Sequence, residues 1–192
     1  MHMFRTRNRI AVLALGAAGL FGLGFAAAVA TIPEVRSTDD AALKGTKLET
    51  LAPFIGDWEI ETAWANGMEL WARNEYRVVM DGKFVEAVTY AKDGDADPYA
   101  RYLTLYRWDD EQGTIVAHGF QNDGTVSVRP MQVGADGSLS AEWAATENEN
   151  GPKIKQTVST PAGDAYRWQV WMLQPGGAGE MQMIDGEWKR TD

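Results

Sequence analysis

Residues 56–67 read Gly56-Asp57-Trp58-Glu59-Ile60-Glu61-Thr62-Ala63-Trp64-Ala65-Asn66-Gly67, and their period decides the fold class. Trp58, Ile60, Thr62 and Trp64 alternate with Glu59, Glu61 and Ala63. A period of two puts the large side chains on one face and the acids on the other, as in a half-buried strand. Asn66-Gly67 then offers the backbone conformations that a tight hairpin needs. Outward from this hairpin, strand-like runs recur at about 68–80, 83–91, 99–108, 114–120, 125–133, 138–146, 153–160, 165–173 and 181–190. The links between them are short and rich in Gly, Asn, Asp or Pro, the residues that tight reversals require. Upstream, Thr46-Lys47-Leu48-Glu49 is a capping-box pattern. Leu48, Leu51 and Phe54 continue it at helical spacing, and Pro53 limits the helix to residues near 47–52.

The hairpin run and its successors make ten candidate strands, with no helical segment long enough for a parallel crossover. The spacing therefore predicts an all-β, antiparallel up-and-down sheet. Closure into a barrel of about 8–10 strands removes both unpaired edges, while an open sandwich would show similar spacing. Several inward faces follow from alternation: Leu139, Ala141, Trp143 and Ala145; Ile154 and Val158; Tyr166, Trp168, Val170 and Met172. In 99–108, Tyr102, Thr104, Tyr106 and Trp108 share one face and Arg101, Leu103, Leu105 and Arg107 the other, so the inward side stays open.

The chain has 192 residues, no Cys, and 27 acidic against 18 basic side chains. A net charge of −9 argues against nucleic acid or anionic lipid as the main partner, since both need basic surface. Without Cys there is no disulfide, thiolate metal site, cysteine nucleophile or lipid-modified cysteine. Residues 1–9 carry Arg5, Arg7 and Arg9 and no acid, residues 10–30 carry no charge, and the run ends in Ala28-Val29-Ala30. That is the pattern of a secretory signal peptide cut after Ala30, although an uncleaved apolar anchor would also reach across a bilayer. The expectation is a periplasmic or secreted protein, with 31–45 as a flexible tether and 46–192 as the barrel domain. Removing three arginines leaves the exported chain still more acidic.

At the helix-to-strand junction, Leu48–Glu59 (LETLAPFIGDWE) resembles the start of a lipocalin-type, or calycin, barrel. There a short helix closes one end and a Gly-x-Trp motif, here Gly56-Asp57-Trp58, opens the first strand. The lead-in is also similar to nitrobindin-like domains and to small secreted bacterial lipocalin-like proteins of unknown function. The resemblance implies a barrel closed at one end by the short N-terminal helix. It also implies an arginine near the end of the last strand packed across the motif tryptophan, and Arg190 stands in that place.

Chemical constellations are few. His118 is the one histidine of 31–192, so a two-histidine metal site is excluded there. The nitrobindin resemblance would make a lone histidine a haem ligand, but that ligand lies near the chain end whereas His118 is mid-chain. No cofactor and no metal is therefore expected. Asp93-Gly94-Asp95-Ala96-Asp97 begins like a calcium loop, yet Pro98 and Thr104 stand where Gly and Glu belong. No Gly-x-Ser-x-Gly elbow, nucleotide loop or basic patch occurs. Glu86 alternates with Phe84, Val88 and Tyr90, and pointing inward it would need Arg101 or Arg107 as partner.

Three functions remain open: a non-catalytic carrier or sensor of a small apolar or amphipathic ligand, a filled structural or protein-interaction barrel, and a barrel isomerase or cyclase. For the first, the candidate ligand-binding residues are Trp64, Tyr76, Tyr90, Tyr106, Trp143, Trp168 and Met172, with Glu86 and His118 as polar anchors. Gly56, Trp58 and Arg190 form the structural motif. No catalytic residue is assigned, and oligomeric state is left open.

Overall fold

A computed structural model of the protein describes residues 39–145, 151–177 and 179–192. The expected export signal, its cleavage point and residues 31–38 of the tether lie outside the described residues. Ten strands are described: β1 (Gly56–Ala63), β2 (Glu69–Val79), β3 (Phe84–Ala91), β4 (Tyr99–Asp109) and β5 (Thr114–Gln121), then β6 (Val126–Val133), β7 (Leu139–Ala144), β8 (Lys153–Val158), β9 (Ala165–Leu173) and β10 (Glu180–Arg190). Each pairs antiparallel with its sequence neighbour, and β1 pairs with β10, so the sheet closes into a barrel. Closure satisfies both edges, which is why the barrel and not the sandwich is adopted. The fold is compatible with a calycin-like barrel.

Two expectations near the N-terminal side are corrected. Residues 47–52 do not form an α-helix; the element is a 3-10 turn over Glu49–Phe54, preceded by another over Asp40–Leu43. Pro53 has no N–H to give the Glu49 carbonyl, so the wider helical hydrogen bond cannot form there. Glu49 does reach back, accepting a hydrogen bond from the Gly45 N–H. Residues 40–43, taken as part of a loose tether, are instead ordered against the fold, with Leu43 completely buried beside Leu48, Leu51 and Phe54.

The Gly-x-Trp segment sits at the end of the barrel where β1 begins. Trp58 is 0% exposed, and its indole Nε1 donates to the Phe54 carbonyl at 2.7 Å. The Arg190 guanidinium lies over its ring, 4.2 Å from the centroid. Arg190 also donates to the carbonyls of Ile55 (2.9 Å) and Pro53 (3.2 Å), so one side chain ties the end of β10 to the lead-in of β1.

At the same end, Asp109 closes the β4–β5 turn. Its carboxylate accepts from the backbone N–H groups of Gln112 and Glu111 and from the Arg107 guanidinium. The Gln112 N–H above all, then Arg107 and the Glu111 N–H, hold its pKa below the ordinary aspartate range against the effect of burial. A lowered folded pKa contributes stability that is complete above the unfolded value, about 3.9. It is lost as pH falls through the folded value. Asp109→Asn should therefore flatten the loss of stability below about pH 4, as measured by urea unfolding from pH 7 to pH 2. An unchanged acid limb would show that other carboxylates govern it.

Candidate functional site

Register determines which side chains face into the barrel. Trp58 lies opposite Asn74, Tyr76 opposite Ala87, Ala87 opposite Thr104, and Tyr106 opposite Ala117. Ala117 lies opposite Arg129, and across the sheet Val158 opposite Trp168 and Tyr166 opposite Trp188. These residues share the inner face with the buried core. The undecided face of β4 is thereby settled, with Tyr102, Thr104, Tyr106 and Trp108 inward.

The interior has two halves. Toward the start of β1 it is filled by apolar side chains that are all buried, among them Leu51, Phe54, Trp58, Val85, Ile115 and Trp188. Toward the β1–β2 hairpin the inward residues Leu70, Tyr102, Ser127, Trp143, Ile154 and Met172 are only half-buried. Tyr106, Trp143 and Trp168 are partly buried and pack against the core. The inner face is thus a packed floor at one end and partly exposed side chains at the other.

An aromatic layer forms that floor. Tyr166 meets Trp58 edge-on at 4.8 Å and Phe54 at 5.3 Å, and it stacks on Trp188 at 5.9 Å. Tyr76 stacks on Tyr106 at 6.4 Å. The hydroxyls of Tyr76, Tyr106 and Tyr166 and the side chain of Asn74 lie within one another's electrostatic reach. Burial pushes all three phenols up, Tyr76 and Tyr166 strongly, while the nearby Arg129 partly offsets the rise at Tyr106. All three therefore stay neutral hydrogen-bond donors across physiological pH.

No protein-family model matches the chain, and no curated protein matches it significantly.

The candidate residues divide by position. Tyr76, Tyr106, Trp143, Trp168 and Met172 are inward. Trp64 is on the rim, where it lines a pocket of about 420 Å³ with Ala65, Asn66, Met68, Met181 and Met183. That pocket is almost wholly apolar, so the convergent polar chemistry lies inside the barrel and not there. Three expectations are corrected. Glu86 is outward, between Arg77 on β2 and Leu105 on β4, because its neighbours Val85 and Ala87 are the buried ones. Tyr90 is also outward, covered by the Arg73 guanidinium at 4.6 Å. His118 is outward and accepts a hydrogen bond from Arg107 Nε at 3.1 Å. Arg107 is thus engaged with His118 and Asp109, and Arg101 lies over the Tyr102 ring.

Among the described residues no group of three or more His, Asp or Glu is placed to hold a metal ion. Sequence reasoning missed Asn74, Arg129 and Tyr166 as site residues. The signal at Arg129 was its parity with Met131 in 125–133, but Val126 and Val128 masked it. Those valines are 60% and 57% exposed on the outer wall, while Ser127 and Arg129 take the inner one.

Proposed function

We propose that this chain is an exported, non-catalytic barrel of lipocalin-like type that binds one small amphipathic molecule in the open half of its interior. The observation that carries this reading is the half-burial of inward apolar side chains, Trp143, Ile154 and Met172 among them, above a packed floor. Apolar surface that faces inward yet stays wet gains free energy when a ligand covers it, at roughly 25 cal/mol per Å². The polar belt below it would fix the ligand's orientation.

The direct test is a screen of fatty acids, quinones, isoprenoids and haem against the purified protein, read by tryptophan emission and melting temperature. A ligand at about 100 times its Kd should add roughly 2.7 kcal/mol to folding stability. Trp143→Ala and Trp168→Ala should weaken that ligand while the unfolding transition stays cooperative. If no compound alters emission or melting, the barrel is a structural or interaction module.

Export is tested separately. Intact-mass measurement of the protein recovered from outside the cytoplasm should give a chain beginning at Thr31. A membrane-bound species retaining residues 1–30 would contradict this.

A further inference from the structure

We propose that the occupant of the barrel carries a single carboxylate, and that Arg129 is its seat. This rests on the reading of the interior as a ligand site.

Arg129 is a cation on the inner wall. It faces inward from β6, opposite Ala117 of the buried core. Its guanidinium lies over the Trp143 ring, 4.9 Å from the centroid. It also arches across Gly119: a Cβ there would come within 2.9 Å of Arg129 Nη2. Glycine at 119 thus leaves the space the guanidinium occupies. On the outer wall, Arg73, Arg77, Arg107 and Arg167 each pair with a carboxylate. Arg129 has no such partner among the described residues, and its buried Nε makes no hydrogen bond there.

A second observation points to the same place. Asn74 and Tyr166 are 8% and 3% exposed, yet Asn74 Oδ1 and the Tyr166 hydroxyl make no well-formed hydrogen bond among the described residues. They continue the belt that runs through Tyr76 and Tyr106 to Arg129. Buried polar groups left unmatched are costly, and a half-buried cation facing the interior without a counter-charge adds to that cost. One arginine beside neutral phenols supplies one positive charge and several donors. A carboxylate accepts two parallel bonds from guanidinium and brings one negative charge. A phosphate monoester brings close to two, which this belt would leave partly uncompensated. The acidic loop carrying Asp93, Asp95 and Asp97, at the same end of the barrel as the β1–β2 hairpin, adds to that penalty. Trp143, Ile154 and Met172, paired across β7, β8 and β9, continue from Arg129 along the half-buried side of the inner wall, so the tail of the molecule is apolar.

The test compares dodecanoate, dodecanol and dodecyl phosphate on the purified protein and on Arg129→Gln and Arg129→Lys, by tryptophan emission and melting temperature. The wild type should bind dodecanoate about tenfold or more tighter than dodecanol, the size expected of a charge-assisted hydrogen bond. Arg129→Gln should abolish that preference while still binding dodecanol, and its unliganded melting temperature should hold or rise. Arg129→Lys should keep part of the preference. Equal binding of dodecanoate and dodecanol by the wild type would overturn the carboxylate seat and leave the ligand-binding barrel standing. Tighter binding of dodecyl phosphate than of dodecanoate would overturn it as well. Binding of none of the three would overturn both the seat and the ligand-binding reading.

Discussion

Replacing Trp58 by alanine should destabilise the protein by about 3–5 kcal/mol, the range for deleting a large aromatic side chain from a packed core. Trp58 is 0% exposed, and its ring supports Tyr166 on one side and Arg190 on another. The mutation opens a cavity and leaves the Phe54 carbonyl without its indole donor. It also takes the aromatic face from beneath a guanidinium. Whole-domain stabilities run to about 5–15 kcal/mol, so the variant would have little left. Arg190→Ala should cost less, because Trp58 keeps most of its burial. Urea unfolding of the two single variants and the double variant measures their coupling. A coupling of about 0.5–2 kcal/mol is expected for a partly desolvated cation–π pair. Strict additivity would mean that Arg190 acts only through the carbonyls of Ile55 and Pro53. Should Trp58→Ala fail to fold, Trp58→Phe keeps a ring and permits the same cycle.

Gly56→Ala should produce the second large loss. Gly56 has φ +128°, a region that residues with a Cβ scarcely enter. Forcing alanine there costs about 1–3 kcal/mol in the backbone alone. Its Cβ would also fall 2.2 Å from Arg190 Nη1, so the guanidinium must leave its seat on Trp58. The two parts can be separated. In an Arg190→Ala background the contact with Nη1 is gone, while the backbone part and the close approach to Asp192 Oδ2 at 2.7 Å remain. Gly56→Ala should therefore cost less there than in the wild type. Equal costs in both backgrounds would show that the contact with Arg190 contributes nothing to the need for glycine at 56.

Much of the fold was legible because each strand announces itself locally. The run 165–173 was read with Tyr166, Trp168, Val170 and Met172 inward, and β9 has those bounds and that face. The β3 run was read with the wrong face. Its outward positions Phe84, Val88 and Tyr90 are large, and its inward ones Val85, Ala87, Thr89 and Ala91 are mostly small. Size therefore pointed the wrong way. Inside, Ala87 is opposite both Tyr76 and Thr104, and a small residue there leaves room for the tyrosine. Outside, large aromatics are tolerated because cations cover them, as Arg73 does Tyr90, Lys92 does Trp71 and Lys155 does Trp171. An aromatic at a period-two position is consistent with either wall.

The order of the ten strands, their antiparallel sense and the places where the chain reverses were determined by the sequence itself. Alternation and turn chemistry act within a few residues of each other. The sequence also singled out Gly56, Trp58 and Arg190, through a likeness confined to a short motif. Only the tertiary structure decided which face of each strand turns inward. A period of two is unchanged when a strand is flipped, so the choice rests on register with neighbours distant along the chain. Irregularities such as those at Thr89/Tyr90 and Gln182/Ile184 shift that register by a residue without a clear local mark. Arg129 depended on this choice. In the sequence it is a charged residue in a strand with apolar neighbours, and closure of the barrel places its guanidinium over Trp143 on the inner wall.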